Sequence, residues 1–353
     1  MRIPLYLFLI TSGWMQSAPA FSIALNYSND SSNFFGNATA KAALEQAAAD
    51  LSAAITSTLN PITTDVYTGT SGSTTATFNW SLTYTNPTTD STVTLNTFTA
   101  AANTFTIYVG ARPIAGTTLG QGGIGGIDLG ISGSGQSSQW IAAVAAAEAS
   151  SNTSMRRGTN MTFSSLAGDA TLGMATANYL LKTGPILGNL WFDNDSDNDT
   201  NIDNAMMLDG YWNFDHTLAS FGTKNDFYSV ALHEMIHSLG FGESESWTDN
   251  HSNTTWLGTN AVVLNGGSGS GLLDSDQAHI VSSYSSTRID NGMAQETVMD
   301  PALLQGSRKY LTSMDLAMLQ DMGYQVVPEA STNSMILLGL GGMAWLIHRR
   351  KRA

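Results

Sequence analysis

Two histidines and a glutamate occur within one short stretch of the chain, as His233, Glu234 and His237. Apolar residues around them recur at helical spacing, and this pattern predicts a helix over about 226–239. Residues four apart lie one above the other on a helix, so both imidazoles can face a single metal ion. A helix that only packs in a core has no need of these side chains at this spacing. We therefore predict a metal site on this helix.

The set of other side chains that can hold this metal is small. The chain has 353 residues, no cysteine and six histidines. The absence of cysteine excludes disulfides, thiolate ligands and a thiol nucleophile. Catalytic zinc sites combine three protein ligands with a water molecule, whose pKa the ion lowers. We predict Zn²⁺ as the cofactor and Glu234 as the general base that takes a proton from this water.

The run from His233 to Gly240 matches the start of the metzincin pattern H-E-x-x-H-x-x-G-x-x-H. Gly240 is expected to end the helix in a left-handed C-cap. At the last position of the pattern this chain has Glu243 instead of histidine, so the third ligand stays open. The chain thus resembles the zincin metallopeptidases. The resemblance implies an α+β fold, with a mixed sheet, an active-site helix and a smaller irregular C-terminal subdomain, and hydrolysis of protein or peptide substrates.

Three residues compete to be the third ligand. Glu243 has the short spacing, His251 lies in a polar stretch, and His279 lies far downstream. Some bacterial and leishmanolysin-like zincins interrupt the motif after the glycine and supply a histidine from a distant loop. Residues 256–262 and 297–301 resemble that group. We favour His279, with Glu243 as the alternative, because imidazole is the usual ligand.

Downstream, Met299-Asp300-Pro301 resembles the Met-turn that lies beneath the metal in metzincins. Residues 311–324 resemble the closing helix of matrixin-like peptidases. These resemblances imply a catalytic domain over 21–325, divided into subdomains 21–240 and 241–325 with the cleft between them.

The start of the chain is typical of a targeting segment. Arg2 precedes an apolar stretch, and Ala18-Pro19-Ala20 fits a small-x-small cleavage site. We therefore predict a secretory signal peptide over 1–20.

The end of the chain, 326–353, predicts a second targeting segment. Val327-Pro328-Glu329 precedes a short apolar run at 335–347 and a basic cluster at 349–352. This order resembles a bacterial PEP-CTERM sorting tag, although Ala330 stands where the commonest form has a second proline. The resemblance implies export from a Gram-negative bacterium, with the sorting machinery as a partner and a transient inner-membrane anchor. A plain tail anchor is the alternative.

Other segments suggest further features. The alternating carboxylates of 193–199 are compatible with Ca²⁺, although the glycine expected of an EF-hand loop is missing. Residues 212–215 could form an edge strand for a peptide substrate, and the glycine-rich segment 119–135 is expected to be a loop. Further elements are predicted as helices over 38–59 and 139–149 and strands over 21–27, 77–82, 104–109 and 190–193.

Charge excludes one class of partner. The formal charge is −14, and it falls to −19 without 1–20 and the basic cluster 349–352, because five basic residues are lost. A surface this acidic repels nucleic acid.

Two other functions fit the same residues. One is a non-catalytic extracellular matrix or adhesion protein on a zincin scaffold, against which Glu234 argues. The other is a zinc amidase that acts on non-peptide bonds. No G-x-S-x-G motif supports serine hydrolysis.

Overall fold

The computed structural model describes residues 21–327. The predicted signal peptide and almost all of the predicted sorting tag lie outside the described residues. Within 21–327, no helix is long and apolar enough to cross a membrane. This part of the chain is mixed α/β and contains several small sheets.

The helices of the described residues are α1 Ala38–Ala54, α2 Trp140–Met155, α3 Ala205–Tyr211, α4 Phe227–Ser238, α5 Glu245–Thr248, α6 Thr259–Leu264 and α7 Ser313–Met322. The strands, in chain order, are β1 Ser22–Asn26, β2 Ile62–Thr63, β3 Val66–Ser71, β4 Thr74–Thr85, β5 Thr92–Leu95, β6 Thr99–Ala100, β7 Thr104–Arg112, β8 Gly120–Ile124, β9 Gly126–Ser134, β10 Ser164–Leu172, β11 Ala175–Thr183, β12 Leu187–Asp193, β13 Trp212–Asn213, β14 Asn225–Asp226, β15 His251–Ser252, β16 Thr255–Trp256, β17 Ser285–Thr287 and β18 Ala294–Glu296.

A four-stranded sheet positions the site. Its order is β1-β7-β12-β8; the first three strands are parallel, and β8 pairs antiparallel with β12 at the edge. Every residue of β12 is buried, as expected of a strand covered on both faces. Helix α1 packs against β1, α4 packs against β8 and β12, and the two helices contact each other. The edge strand therefore lies directly beside α4.

The glycine-rich segment 119–135 is not the loop that its composition predicts, because it forms β8 and β9. The reason is visible at Gly122, where an added Cβ would lie 2.1 Å from the backbone oxygen of Glu234. Glycine in a strand allows another backbone to approach this closely. The glycines thus bring the edge strand against the helix that carries the predicted metal ligands.

A second sheet has its own hydrophobic core. Strand β4 pairs with β3 and β5 on one side and with β9 on the other, and α2 packs against β3, β4 and the β10–β11 hairpin. Along β4, buried Phe78, Trp80 and Leu82 alternate with threonine, serine and asparagine on the outer face. The range 21–240, which is expected to carry one mixed sheet, therefore contains two four-stranded sheets besides smaller two-stranded ones, and it contributes to two cores.

After residue 240 the chain forms short elements. The last of these is α7, which begins with a capping box between Thr312 and Asp315 and ends at the left-handed Gly323. The buried side chains of α7 join the same core as α4. This region is therefore packed directly against the predicted active-site helix.

Of the edge strand predicted at 212–215, only Trp212–Asn213 is strand, as β13. Trp212 and Asn213 are buried and pair in parallel with β14 in a separate two-stranded sheet. Trp212 also donates a hydrogen bond from Nε1 to the Asp193 carbonyl, at 3.2 Å. The residues of β13 are buried, and β8 is the edge strand that lies beside α4.

Candidate metal centre

Helix α4 forms where the sequence predicts it and has clear signals at both ends. Asp226 is the N-cap, and its Oδ2 accepts a hydrogen bond from the Ser229 backbone N–H at 3.1 Å. The buried Arg308 side chain holds the same carboxylate through an ion pair of 2.7 Å. At the other end Gly240 has a φ of 97° and turns the chain out of the helix, as expected of a C-cap glycine.

Three histidine side chains converge beside this helix. The Nε2 atom of His237 lies 3.1 Å from Nε2 of His233 and 3.1 Å from Nε2 of His279. One nitrogen from each of the three lies within 4.8 Å of the other two, and we call these residues the histidine group. His233 and His237 come from α4, and His279 comes from the loop that precedes β17. The structure therefore brings the favoured third candidate to the predicted pair.

The outer nitrogen of each ring is fixed by an oxygen. His233 Nδ1 lies 2.8 Å from the Val298 carbonyl, His237 Nδ1 lies 2.8 Å from the Phe241 carbonyl, and His279 Nδ1 lies 2.6 Å from an Asp276 carboxylate oxygen. Backbone carbonyls only accept hydrogen bonds, so Nδ1 must carry the proton in His233 and His237. In a neutral ring, Nε2 is then a bare acceptor. Such outer contacts are typical of metal-binding histidines.

The surroundings keep the two helix histidines neutral. Burial, followed by the neighbouring His237 and His279, lowers the pKa of His233 well below its usual value. Burial and His279 lower the pKa of His237 to about 4. Bare acceptors about 3 Å apart repel one another unless a cation lies between them. This arrangement fits a metal ion bound by nitrogen ligands.

Glu234 lies beside the histidine group and is not one of its members. Its residue is only 7% exposed. Burial, and then the charge of Glu243, raise the pKa of Glu234 to about 8, whereas a hydrogen bond from the Gly122 backbone opposes this rise. Within residues 21–327 no cation forms an ion pair with it. This carboxylate is therefore placed to exchange a proton with a group in the cleft.

The other two candidate ligands lie outside the histidine group. Glu243 directs Oε2 toward β8, where it accepts a hydrogen bond from the Ile124 backbone N–H at 3.1 Å. His251 lies in β15, and its Nδ1 lies 3.2 Å from the Asn253 carbonyl. The contacts of both side chains are thus with other parts of the molecule.

Met299 is fully buried in a tight segment held by the closing helix. The backbone N–H groups of Val298 and Met299 donate to the two carboxylate oxygens of Asp315, at 3.1 and 3.2 Å. The Met299 carbonyl in turn accepts from the Ile280 N–H at 2.9 Å. Because Val298 also contacts His233, this segment connects α7 to two of the three histidines.

The histidine group opens into a cleft of about 880 Å³. One wall is β8 and the residues before it, and the other is the segment from Val298 to Gln305. Trp191 and Tyr211 add aromatic surface to its lining. Of the lining residues Lys309 carries a positive charge, and its Nζ is paired with Glu296 at 3.3 Å and Asp300 at 3.4 Å.

A second group of possible ligands lies in the acidic loop whose Ser196 and Asn198 line the cleft. Carboxylate oxygens of Asp195, Asp197 and Asp203 lie within 4.8 Å of one another, and we call these residues the aspartate group. Asp193, which begins the predicted calcium loop, is not a member; its carboxylate accepts hydrogen bonds from the Ile114 and Asp195 N–H groups. Burial raises the pKa of Asp193 to about 6.

Several residues that shape this site were not predicted from the sequence. Asp276 and Asp315 are separated from the motif along the chain, and the Val298 and Phe241 contacts involve backbone carbonyls, which any residue carries. One of these contacts has a signal in the sequence: the carboxylate of Asp276 lies only three residues before the candidate ligand His279.

Comparison with known proteins identifies one segment. Residues 326–352 match the model of the PEP-CTERM protein-sorting motif, which confirms the predicted sorting tag. The motif indicates export in a Gram-negative bacterium and recognition by the sorting machinery. No curated protein and no solved structure matches the chain.

Proposed function

We propose that this protein is an exported zinc-dependent endopeptidase with a zincin-like α+β fold. His233, His237 and His279 hold the zinc ion, and Glu234 is the general base. The observation that carries the proposal is the convergence of three imidazole nitrogens whose outer partners leave them as bare acceptors.

The donor set fits zinc. Three imidazoles and no thiolate form a common catalytic zinc set, with a further position left for water or substrate. When bound, zinc supplies Lewis-acid chemistry: it polarises the scissile carbonyl and acidifies water. Val298, Phe241 and Asp276 fix the rings that present these nitrogens.

Glu234 performs the proton transfer. Its carboxylate accepts a proton from the attacking water as the new carbon–oxygen bond forms, and it delivers a proton to the amine nitrogen as the peptide bond breaks. Burial favours the protonated state between these two events. The adjoining strand β8 lies at the sheet edge, and backbone groups at such an edge can pair with an extended peptide.

The decisive experiment compares the mature wild-type protein with Glu234→Gln. The wild type should contain about one zinc per chain and clear a casein or gelatin zymogram. The variant keeps the shape of the side chain but loses the base, so activity should fall by about 10²-fold or more while zinc stays bound. A zinc-free wild type would refute the proposal. A zinc-loaded wild type that cleaves no protein would favour the non-catalytic matrix or adhesion function.

A further inference from the structure

Glu243 has no role in the proposed hydrolysis, yet it is held firmly in the cleft. It follows Gly240 and Gly242, which have φ values of 97° and 82° and turn the chain back toward the site. Its backbone N–H donates to the Gly240 carbonyl at 3.2 Å, and the next residue, Ser244, is fully buried. The base of the side chain is therefore fixed by the turn between α4 and α5.

The Glu243 side chain extends from this turn to the edge strand β8. Oε2 accepts the Ile124 N–H, and Gly123 leaves the space, because a Cβ there would lie 3.0 Å from the same oxygen. Within the described residues Oε1 has no hydrogen-bond partner, and no lysine, arginine or histidine pairs with Glu243. One oxygen of a carboxylate that lines the cleft thus remains available.

The charges around the cleft leave this carboxylate uncompensated. Lys309 is already neutralised by Glu296 and Asp300, and no other lysine or arginine of the described residues lines the cleft. Glu243 is exposed to solvent, and the walls of a cleft focus the field of such a charge onto a ligand of opposite charge.

We infer that Glu243 binds a positive charge of the substrate close to the scissile bond, and that it makes the protein selective for basic peptides. This inference rests on the proposed function. The ligand is an ammonium or guanidinium group, which can come from a lysine or arginine side chain or from the amino terminus of the peptide. Glu243 is accordingly a specificity residue.

The test uses quenched fluorescent peptides in which lysine, or the uncharged norleucine of similar length, is moved through each position around the cleavage site. Every peptide is made with a free and an acetylated amino terminus, which separates the two sources of charge. Wild type, Glu243→Gln and Glu148→Gln are compared as zinc-loaded mature proteins. Glutamine can still accept the Ile124 hydrogen bond, so Glu243→Gln removes the charge and keeps the contact. Glu148 lies in α2 without an ion pair and controls for net charge.

In the wild type and Glu148→Gln, a positive charge at one position should raise kcat/KM about tenfold over its neutral counterpart. In Glu243→Gln this ratio should fall to about one. The inference is overturned if the wild type shows no preference, or if Glu243→Gln retains it.

Binding supplies a second measurement that does not depend on turnover. Fluorescence anisotropy of the same peptides on zinc-loaded Glu234→Gln, with and without Glu243→Gln, should show the same charge preference and its loss. If the wild type cleaves no peptide but this preference appears, the assignment of Glu243 stands and the proposed hydrolysis fails. If cleavage occurs and no charge preference appears in either measurement, hydrolysis stands and the inference fails.

Discussion

The described residues contain two groups of three side chains that are close enough to share a metal ion, and the two are built differently. In the histidine group every ring is fixed at its outer nitrogen, so the inner nitrogens face one another as acceptors and have no hydrogen-bond donor among the described residues. In the aspartate group the carboxylates already accept backbone hydrogen bonds: Asp195 from Asp199 and Thr200, and Asp203 from Ser196.

The comparison shows what distinguishes a prepared metal site from a loop that is merely acidic. Ligand atoms are prepared when other contacts orient them and leave their lone pairs free. The aspartates use much of their acceptor capacity to hold their own loop, as Asx turns do. We therefore expect the histidine group to bind metal tightly and the aspartate group to bind it weakly.

The largest expected effect comes from removing a ligand. His279→Ala leaves two imidazoles, so zinc affinity should fall by more than about 10²-fold and activity should be lost. Zinc content after dialysis measures this change, and His251→Ala is the control, because His251 lies outside the group. Zinc retained in His279→Ala and lost in Glu243→Ala would instead make Glu243 the third ligand.

The segment that holds the outer nitrogen of His233 can be disturbed by a substitution in α7. Asp315→Ala leaves the Val298 and Met299 N–H groups buried without an acceptor and should lower the free energy of unfolding by about 3 kcal/mol. Urea unfolding of the metal-free protein measures the loss, and the exposed Asp128→Ala is the control. Equal stability of the two variants would show that Asp315 does not hold the turn.

A milder change tests the orientation of one ring. Asp276→Asn keeps an acceptor for His279 Nδ1 but removes its charge, so zinc affinity should fall about tenfold. Competition with a zinc-binding dye gives the affinity. Asp249 is exposed, so Asp249→Asn controls for the lost charge. An unchanged zinc affinity in Asp276→Asn would show that the contact between Asp276 and His279 does not contribute to metal binding.

The smallest effect is expected at the aspartate group. Millimolar Ca²⁺ should stabilise the protein by about 1 kcal/mol or less, because weak extracellular sites bind Ca²⁺ at millimolar concentration. Thermal unfolding with and without Ca²⁺ measures this, and Asp195→Asn should abolish the shift. A shift above about 5 °C, which corresponds to well over 1 kcal/mol in a chain of this size, would place the aspartate group with the prepared sites.

The sequence predicted helix α4 closely, because capping residues and apolar spacing act within a few residues. It favoured His279 through a resemblance and because imidazole is the usual ligand, since nothing local indicates that a loop 42 residues beyond His237 returns to the helix. Strand β8 was missed because glycine has no strand propensity, and its role there depends on how closely α4 approaches. Long-range packing therefore decided the features that the sequence did not reveal.

The distance along the chain between His237 and His279 has a consequence for stability. Zinc bound as proposed would cross-link the helix to a loop 42 residues away, in a chain that has no cysteine. A disulfide closing a loop of this length would stabilise the fold by about 4 kcal/mol through the entropy of the unfolded chain. The metal would then stabilise this exported protein as a disulfide would. Chelators would remove this cross-link and make the region after Gly240 accessible to proteolysis.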